Sequence, residues 1–392
     1  MKIGFDCVKC KGRLKCGLPR CPVLAKLDIK KSLKPKKEFK SETAGVFIGW
    51  HGYPKVYAGL LSPHESTTNK GPREWVNNKS SIIDVMTYRS SLVNSRNKVK
   101  IKEVKGFNEY VQSSALSSKP LSIDVSLKKA PKILVNYNIH SQPYGPAAEV
   151  KELRVNDHPR IKKAVQKVHY DTDLKAGEAM IILKQKELEE YEISSILSAG
   201  TLGVDKNRKL VPTRWSITAT DDTLGKNYIK KLKNNEVIDY YQVFHGKYFG
   251  NIFTILLMPR FWSYELIEMW MPGAVFSSNE TQVMTDYEQF NGRKKYAENT
   301  GGGYYASRLP ITEWLASNNL QASALVIRQI TKDYYMPLGV WVVREAVRKA
   351  LQNSKKFNNY EQARTYTERL TGFDLRKSKL IREKQTILQK FI

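Results

Sequence analysis

The chain has 392 residues, 41% of them hydrophobic, enough to bury a core in one large domain or roughly two or three smaller ones. Lysine and arginine together number 65 against 38 aspartates and glutamates, a formal net charge of +27 that selects polyanionic partners: nucleic acid first, then ribosomes or acidic membrane surfaces. Met1-Lys-Ile-Gly runs straight into charge and cysteine, and the longest strongly apolar run, Ile252 to Met258, falls far short of the roughly 20 residues needed to span a bilayer. From these features we expect a cytoplasmic, nucleoid-associated protein with no secretory leader and no membrane partner.

All four cysteines fall in one short stretch, Cys7, Cys10, Cys16 and Cys21, with the spacing C-x2-C-x5-C-x4-C. In a reducing compartment such clustering reads as a metal site rather than a disulfide framework. Gly12, Gly17 and Pro19 supply turns that bring four thiolates around one tetrahedral ion. A segment this small cannot build a hydrophobic core, so the metal provides its folding free energy. With all four ligands from the protein no coordination position stays open, and the site is structural. The spacing favours zinc (Zn2+) over an iron–sulfur cluster, although Cys21-Pro22 also occurs in cluster-binding runs. Lys9, Lys11, Arg13, Lys15 and Arg20 more than neutralise four thiolates on a dication and present cations to a phosphate backbone.

Residues 1–25 are therefore expected to form a metal knuckle. Residues 26–44, with Lys30, Lys31, Lys34, Lys36 and Lys37, read as a solvated basic linker able to lie along DNA. Composition changes at Gly45, and residues 45–372 are expected to form the main domain, in one piece or two subdomains. Val46 to Leu60 predicts a hairpin turning through His51-Gly-Tyr-Pro54. Residues 63–80 predict a polar loop, Ser81 to Ser95 a helix, Lys132 to Asn138 a strand, and Leu183 to Leu197 one amphipathic helix.

Next comes Pro212-Thr-Arg-Trp-Ser-Ile-Thr-Ala-Thr-Asp-Asp222, which mixes Arg214 and Trp215 with the adjacent acids Asp221 and Asp222. Adjacent acids in a strand point apart, so a metal-binding pair would need a turn; the favoured reading is a helix N-cap leading into Leu224. Val237 to Phe244 and Ile252 to Met258 predict a central hairpin, and Phe261 to Met271 a further strand. Gly301-Gly302-Gly303 could expose backbone N–H groups to a phosphate, with Arg308 as counter-charge and Tyr304 and Tyr305 as stacking faces. The run lacks the Gly-Lys-Ser/Thr of a P-loop, and a plain surface turn is the alternative. Ser323 to Thr331 predicts a strand; Leu338 to Gln352 and Asn359 to Leu370 predict helices. His51, His64, His140, His158, His169 and His245 show no metal spacing.

Residues 373–392 are expected to form a flexible basic peptide tail. Its end, Gln385, Leu388, Phe391 and Ile392, follows a Q-x-x-L-x-x-F pattern. One helical turn would set Leu388, Phe391 and Ile392 on one side as a hydrophobic plug and leave Gln385 to hydrogen-bond in a neighbouring pocket. The pattern resembles the peptide by which replication and repair proteins hook onto the sliding clamp PCNA, with Ile392 replacing the usual second aromatic. The chain shows no alternating βαβ rhythm and no internal repeat, so the fold class is α+β with a mixed-sheet main domain.

Taken together, the basic four-cysteine start, the Pro212–Asp222 segment, the Gly301-Gly-Gly-Tyr-Tyr-Ala-Ser-Arg308 segment and the clamp-type tail resemble the archaeal Nre family of DNA-repair proteins. The resemblance covers essentially the whole chain. It implies a DNA-damage-response factor with a zinc-finger-like module and a PCNA-interacting tail, and carries over no catalytic residues. Two other readings stand beside it. One is an enzyme acting on DNA or a nucleotide through a central pocket of Arg214, Trp215, Asp221, Asp222, Tyr304 and Arg308; the other is an RNA- or ribosome-associated zinc protein.

Overall fold

The computed structural model describes residues 10, 12–15, 20–63, 71–103, 105–133, 142–274 and 280–382. The described elements run α1 (Pro22–Ser32), β1 (Glu38–Glu42), β2 (Gly45–Ile48), β3 (Lys55–Pro63), α2 (Pro72–Asn77), α3 (Ile82–Ser91), β4 (Leu92–Lys100), α4 (Phe107–Leu116), β5 (Ser122–Leu127) and β6 (Ala147–Val155). There follow α5 (Lys163–Tyr170), α6 (Ala176–Gln185), α7 (Glu190–Ser198), α8 (Thr213–Leu232), β7 (Glu236–Val237), β8 (Tyr241–Tyr248), β9 (Asn251–Met258), β10 (Ser263–Trp270) and β11 (Gln282–Glu288). The last are α9 (Gly302–Ser317), β12 (Leu320–Gln321), β13 (Ser323–Ile330), α10 (Trp341–Ala350), β14 (Ser354–Phe357) and α11 (Tyr360–Thr371). The class is α+β, as the patterning predicts.

The chain divides into two compact units, one formed by Lys26–Asn136 and Pro143–Leu224, the other by Gly225–Ile392 with Met1–Ala25 and Tyr137–Gln142. The first unit holds a mixed six-stranded sheet of order β1-β5-β6-β4-β3-β2, in which β4 and β6 run parallel. Strict alternation along β3 sends Val56, Ala58 and Leu60 to one face, where Val46, Ile48, Val93, Val99 and Ile123 join them under Val111 of α4. The predicted hairpin is β2–β3, paired Gly45↔Leu61 to Ile48↔Ala58.

The second unit holds a sheet of order β11-β10-β13-β9-β8-β14, with β13 parallel to β10 and antiparallel to β9. All eight residues of β13 are buried, as expected of a strand covered on both faces. One face packs Leu256, Ile267 and Leu325 against Ala363 of α11 and against Phe373, Leu375 and Ile381. Helices α9 and α10 take the other. A paired β7 and β12 lie apart from this sheet.

Several local expectations give way to tertiary context. Residues 26–44 are not an open linker: α1 starts with Pro22, favoured in a first helical turn, and buries Val23, Ala25 and Lys26, and β1 follows. Burial, reinforced by the charge of Lys30, lowers the Lys26 amine to about 8. The polar loop before Ser81 contains α2, and α3 stops at Ser91, where β4 begins. Leu183 to Leu197 is two helices, α6 and α7, broken where Glu187 takes a φ of 62°. The strand expected at Lys132–Asn138 falls mostly outside the described residues.

The buried Glu265 of β10 organises the end of the described chain. Its Oε2 accepts from Ser378 Oγ at 2.6 Å and the Leu380 N–H at 3.1 Å; its Oε1 accepts from the Lys379 N–H at 3.1 Å and Thr285 Oγ1 at 2.9 Å. A carboxylate at the first N–H groups of a helical turn satisfies donors that the helix itself cannot. Glu265→Ala strands them, each at about 1–3 kcal/mol. The expected result is a fall of several degrees in Tm, with accelerated proteolytic cleavage beyond Lys377; Glu265→Gln, which keeps one acceptor, falls between.

Candidate functional site

The central motifs lie on two helices, one taking the residues around Trp215 and the other those around Tyr304. Helix α8 starts at Thr213, whose hydroxyl accepts from the Ile48 N–H at 2.9 Å and pairs with Ser198 Oγ at 3.2 Å. The next two residues, Arg214 and Trp215, are exposed. The Arg214 guanidinium lies 5.4 Å from the Trp50 ring centroid, and Trp215 meets Tyr53 at 5.3 Å. Helix α8 runs on unbroken to Leu232, so Asp221 and Asp222 are mid-helix and cap nothing, contrary to the expectation of an N-cap. Asp221 is buried and Asp222 partly buried.

Helix α9 takes up the glycine run. A Cβ on Gly303 would lie 2.7 Å from Glu268 Oε1, so only glycine lets this first turn approach the carboxylate. Glu268 is itself paired with Arg328 at 2.5 Å, and Arg328 also donates to Asn251 Oδ1 from Nε and Nη2 at 2.9 and 2.6 Å. The helix N-terminus thus meets a protein carboxylate where the sequence suggested a phosphate or an open turn.

Tyr304 and Arg308 are buried. Burial, then the charge of Glu288, pushes the Tyr304 hydroxyl far above the ordinary phenol range, so it does not titrate near neutrality. Arg308 Nη1 donates to Glu288 Oε2 at 2.7 Å with both side chains fully buried, and Trp262 Nε1 donates to the other Glu288 oxygen at 3.3 Å. The guanidinium lies 5.5 Å from the ring centroids of both Tyr304 and Tyr305. Of the six residues expected to line a central pocket, Arg214, Trp215, Asp221 and Asp222 belong to one unit and Tyr304 and Arg308 to the other.

Arg308 and Glu288 floor a cavity of about 540 Å³. Its wall is a lysine stripe, Lys226 and Lys230 on α8 and Lys233 in the turn that follows, and its rim carries Phe290 and Arg293. Spacing of i, i+4 and i+7 continues one face of the helix through all three. Lys233 Nζ sits 4.2 Å from the Phe290 ring centroid, and Arg293 Nη2 is held by Asp286 Oδ1 at 3.1 Å. Near the C-terminal end of a helix these charges also favour the macrodipole, but together they give a concave surface suited to phosphate oxygens. The signal for the stripe in the sequence is the lysine spacing of Leu224-Gly-Lys-Asn-Tyr-Ile-Lys-Lys-Leu-Lys233, which stands out only once the segment is known to be helical.

At the front of the chain, Cys10 is buried and Cys21 partly buried, neither in a disulfide; Cys7 and Cys16 lie outside the described residues. The Arg13 N–H donates to the Cys10 carbonyl at 3.0 Å, closing a tight turn, and the Cys21 carbonyl accepts from Ala25 at the start of α1. Among the described residues no group of three or more His, Cys, Asp or Glu could hold a metal. The two cysteines fit a thiolate site by donor type and by the turns beside them. Arg13, Lys15, Arg20, Lys31, Lys34, Lys36 and Lys37 are exposed, Lys30 is partly buried with an amine lowered by that burial, and Lys9 and Lys11 lie outside the described residues. Gln385, Leu388, Phe391 and Ile392 also lie outside them. No described helix is long and apolar enough to cross a membrane.

Removing one partner of a buried ion pair typically costs about 3–5 kcal/mol, whereas replacing both by apolar groups is often close to neutral. Arg308→Met is therefore expected to lower Tm sharply, and Arg308→Met with Glu288→Leu to recover most of the loss by thermal denaturation.

Comparison with known proteins agrees over the length of the chain. Residues 15–277 match the family model Archaeal Nre, N-terminal, and residues 288–391 match Archaeal Nre, C-terminal. DNA repair protein NreB of Archaeoglobus fulgidus is 37% identical over 99% of this chain and 100% of its own. DNA repair protein NreA of the same organism is 34% identical over 94% of each chain, and NreA of Haloferax volcanii is 36% identical over 78% of this chain and 76% of its own. No solved structure matches the chain. The chain belongs to the archaeal Nre family.

Proposed function

We propose that this protein is a DNA-repair factor that binds DNA directly and is brought to the sliding clamp PCNA by its C-terminal peptide. The repair role follows the names carried by its relatives. The observation that carries direct DNA binding is the row of Lys226, Lys230 and Lys233, on the end of α8 and the turn after it, beside Arg293 in a chain of net charge +27. Such a row meets phosphate oxygens without reading sequence. It rests on a floor already neutralised by the Arg308–Glu288 pair, so its positive field is not cancelled. What supports the clamp half is the pattern of Gln385, Leu388, Phe391 and Ile392, which begins shortly after the turn anchored by Glu265. Cys7, Cys10, Cys16 and Cys21 hold a structural zinc ion in this reading, with the exposed Arg13, Lys15 and Arg20 close to its ligands in sequence and available to DNA.

Deleting residues 385–392 is expected to abolish capture by immobilised PCNA while leaving duplex-DNA affinity unchanged; undiminished capture would refute the clamp assignment. Replacing Lys226, Lys230 and Lys233 by glutamine should weaken duplex binding and shrink the slope of log K against log salt by about 2–3, since each lost phosphate contact removes about 0.9. A variant slope equal to that of the wild type would remove the helix from the DNA interface. Preferential binding of RNA in direct competition would favour an RNA-associated role instead.

Metal analysis of protein purified without added metal should find zinc at one ion per chain, lost in Cys10→Ser and Cys21→Ser. A brown, iron-containing protein would replace zinc by a cluster.

A further inference from the structure

Three exposed aromatic side chains gather at one edge of the unit formed by Lys26–Asn136 and Pro143–Leu224. Trp50, Tyr53 and Trp215 keep 43%, 38% and 45% of their surface exposed. Single exposed aromatics are ordinary, but a contiguous group marks a binding surface. Tyr53 meets Trp215 at 5.3 Å, while Trp50 stacks on His51 at 3.8 Å and lies under Arg214, the helix neighbour of Trp215.

Backbone hydrogen bonds set the rings in place before any partner arrives. The β2–β3 turn is closed by Gly49 N–H to the Tyr57 carbonyl at 2.8 Å and Lys55 N–H to the Gly52 carbonyl at 2.8 Å. The start of α8 is fixed by the Trp215 N–H to the Pro212 carbonyl at 2.8 Å and by the bond from Ile48 to Thr213.

The adjoining outer face of the sheet carries several cations and one acid, Glu149, which accepts from the Tyr57 hydroxyl at 3.1 Å and pairs with Lys128 at 2.8 Å. Lys55 stands directly opposite Lys100 and Tyr57 opposite Lys98, and Arg96 lies 4.3 Å from the Tyr57 ring centroid. These side chains face away from the core, because their strand neighbours Val56 and Val99 are buried in it. Like charges opposed in a ladder repel, so Lys55 and Lys100 have no reason within the fold to face each other. Glu103, in the turn after β4, is an acid at the margin of the patch.

We infer that this surface binds unpaired bases of single-stranded DNA, with Trp50, Tyr53 and Trp215 stacking on bases and Lys55, Lys98, Lys100 and Arg214 meeting the phosphates between them. Ring faces beside lysines are the arrangement that grips a single strand. A duplex keeps its base faces inside the stack, where these rings cannot reach them, and a protein partner's interface core would be depleted in lysine. The inference rests on the DNA-binding reading above and adds a second, chemically different contact to it.

The test measures binding of fluorescent oligo-dT and of a duplex of equal length to the full chain by anisotropy across a salt series. Trp50→Ala and Trp215→Ala are each expected to weaken oligo-dT binding about ten-fold, the scale of losing one stacked base, and to leave duplex affinity unchanged. Trp50→Phe and Trp215→Phe should restore most of the loss, which a merely structural role would not require. Oligo-dT affinity unchanged in both alanine variants would overturn the proposal while leaving the α8 lysine reading intact. Equal loss for duplex and single strand would overturn it as well, and tighter binding of oligo-U than of oligo-dT would overturn the assignment to DNA. Binding of neither DNA by the unaltered chain would sink both readings together.

Discussion

The second unit is built around a buried ion pair, Arg308 with Glu288, that joins α9 to the end of β11. Desolvating two charges is expensive, and the pair is tolerable because each group finds further partners: Glu288 accepts from Trp262, and Arg308 lies against the faces of Tyr304 and Tyr305. Gly225 on α8 lies against the guanidinium, within van der Waals reach of Arg308 Nε. One interaction therefore sets the spacing of α8, α9 and β11, and with it the shape of the lysine-walled cavity. Two of the six residues read as pocket candidates in the sequence, Arg308 and Tyr304, supply its floor and the packing behind it.

Each unit carries a basic surface of a different kind. Lys226, Lys230 and Lys233 are point charges along the end of α8 and the turn after it, suited to a phosphate backbone of any sequence. Trp50, Tyr53, Trp215 and Arg214 offer ring faces and a guanidinium, suited to bases that are not stacked on one another. Helix α8 contributes to both, with Arg214 and Trp215 in its first turn and Lys226 and Lys230 in its last turns. A repair factor working where duplex meets exposed single strand would need both kinds of contact. Glu265, meanwhile, fixes the chain at Ser378 and Leu380, just before the residues that resemble a clamp ligand.

Elements with a clean two-residue alternation or a bounded apolar run were legible in the sequence. The β2–β3 hairpin, β9, β10, β13, α10 and α11 fall where the pattern puts them, and Asn359 caps α11 through the Gln362 N–H. Helix α9 was not legible because Gly301 to Gly303 read as a turn, and because nearly every residue of it is buried, which erases the amphipathic period. Helix α8 hid its length behind hydroxyls and adjacent acids that favour caps when isolated. Lys26 shows the limit of reading charge as exposure, since a lysine in a basic run is buried in α1. Family membership was legible from four separated motifs. The lysine stripe and the aromatic edge needed the fold, because Trp50 and Tyr53 are far in sequence from Arg214 and Trp215, the residues they meet where Thr213 is anchored to β2.

The central claim is that two surfaces of this chain hold DNA, one by phosphates and one by bases. Hydrogen–deuterium exchange of the full chain with a gapped duplex, which presents both kinds of DNA at once, addresses it most directly. The account predicts slowed exchange both in residues 226–234 and in residues 49–55 with 213–216, and protection of the first region alone when the gap is filled. Protection confined to other regions, or the same pattern with filled and gapped DNA, would contradict it.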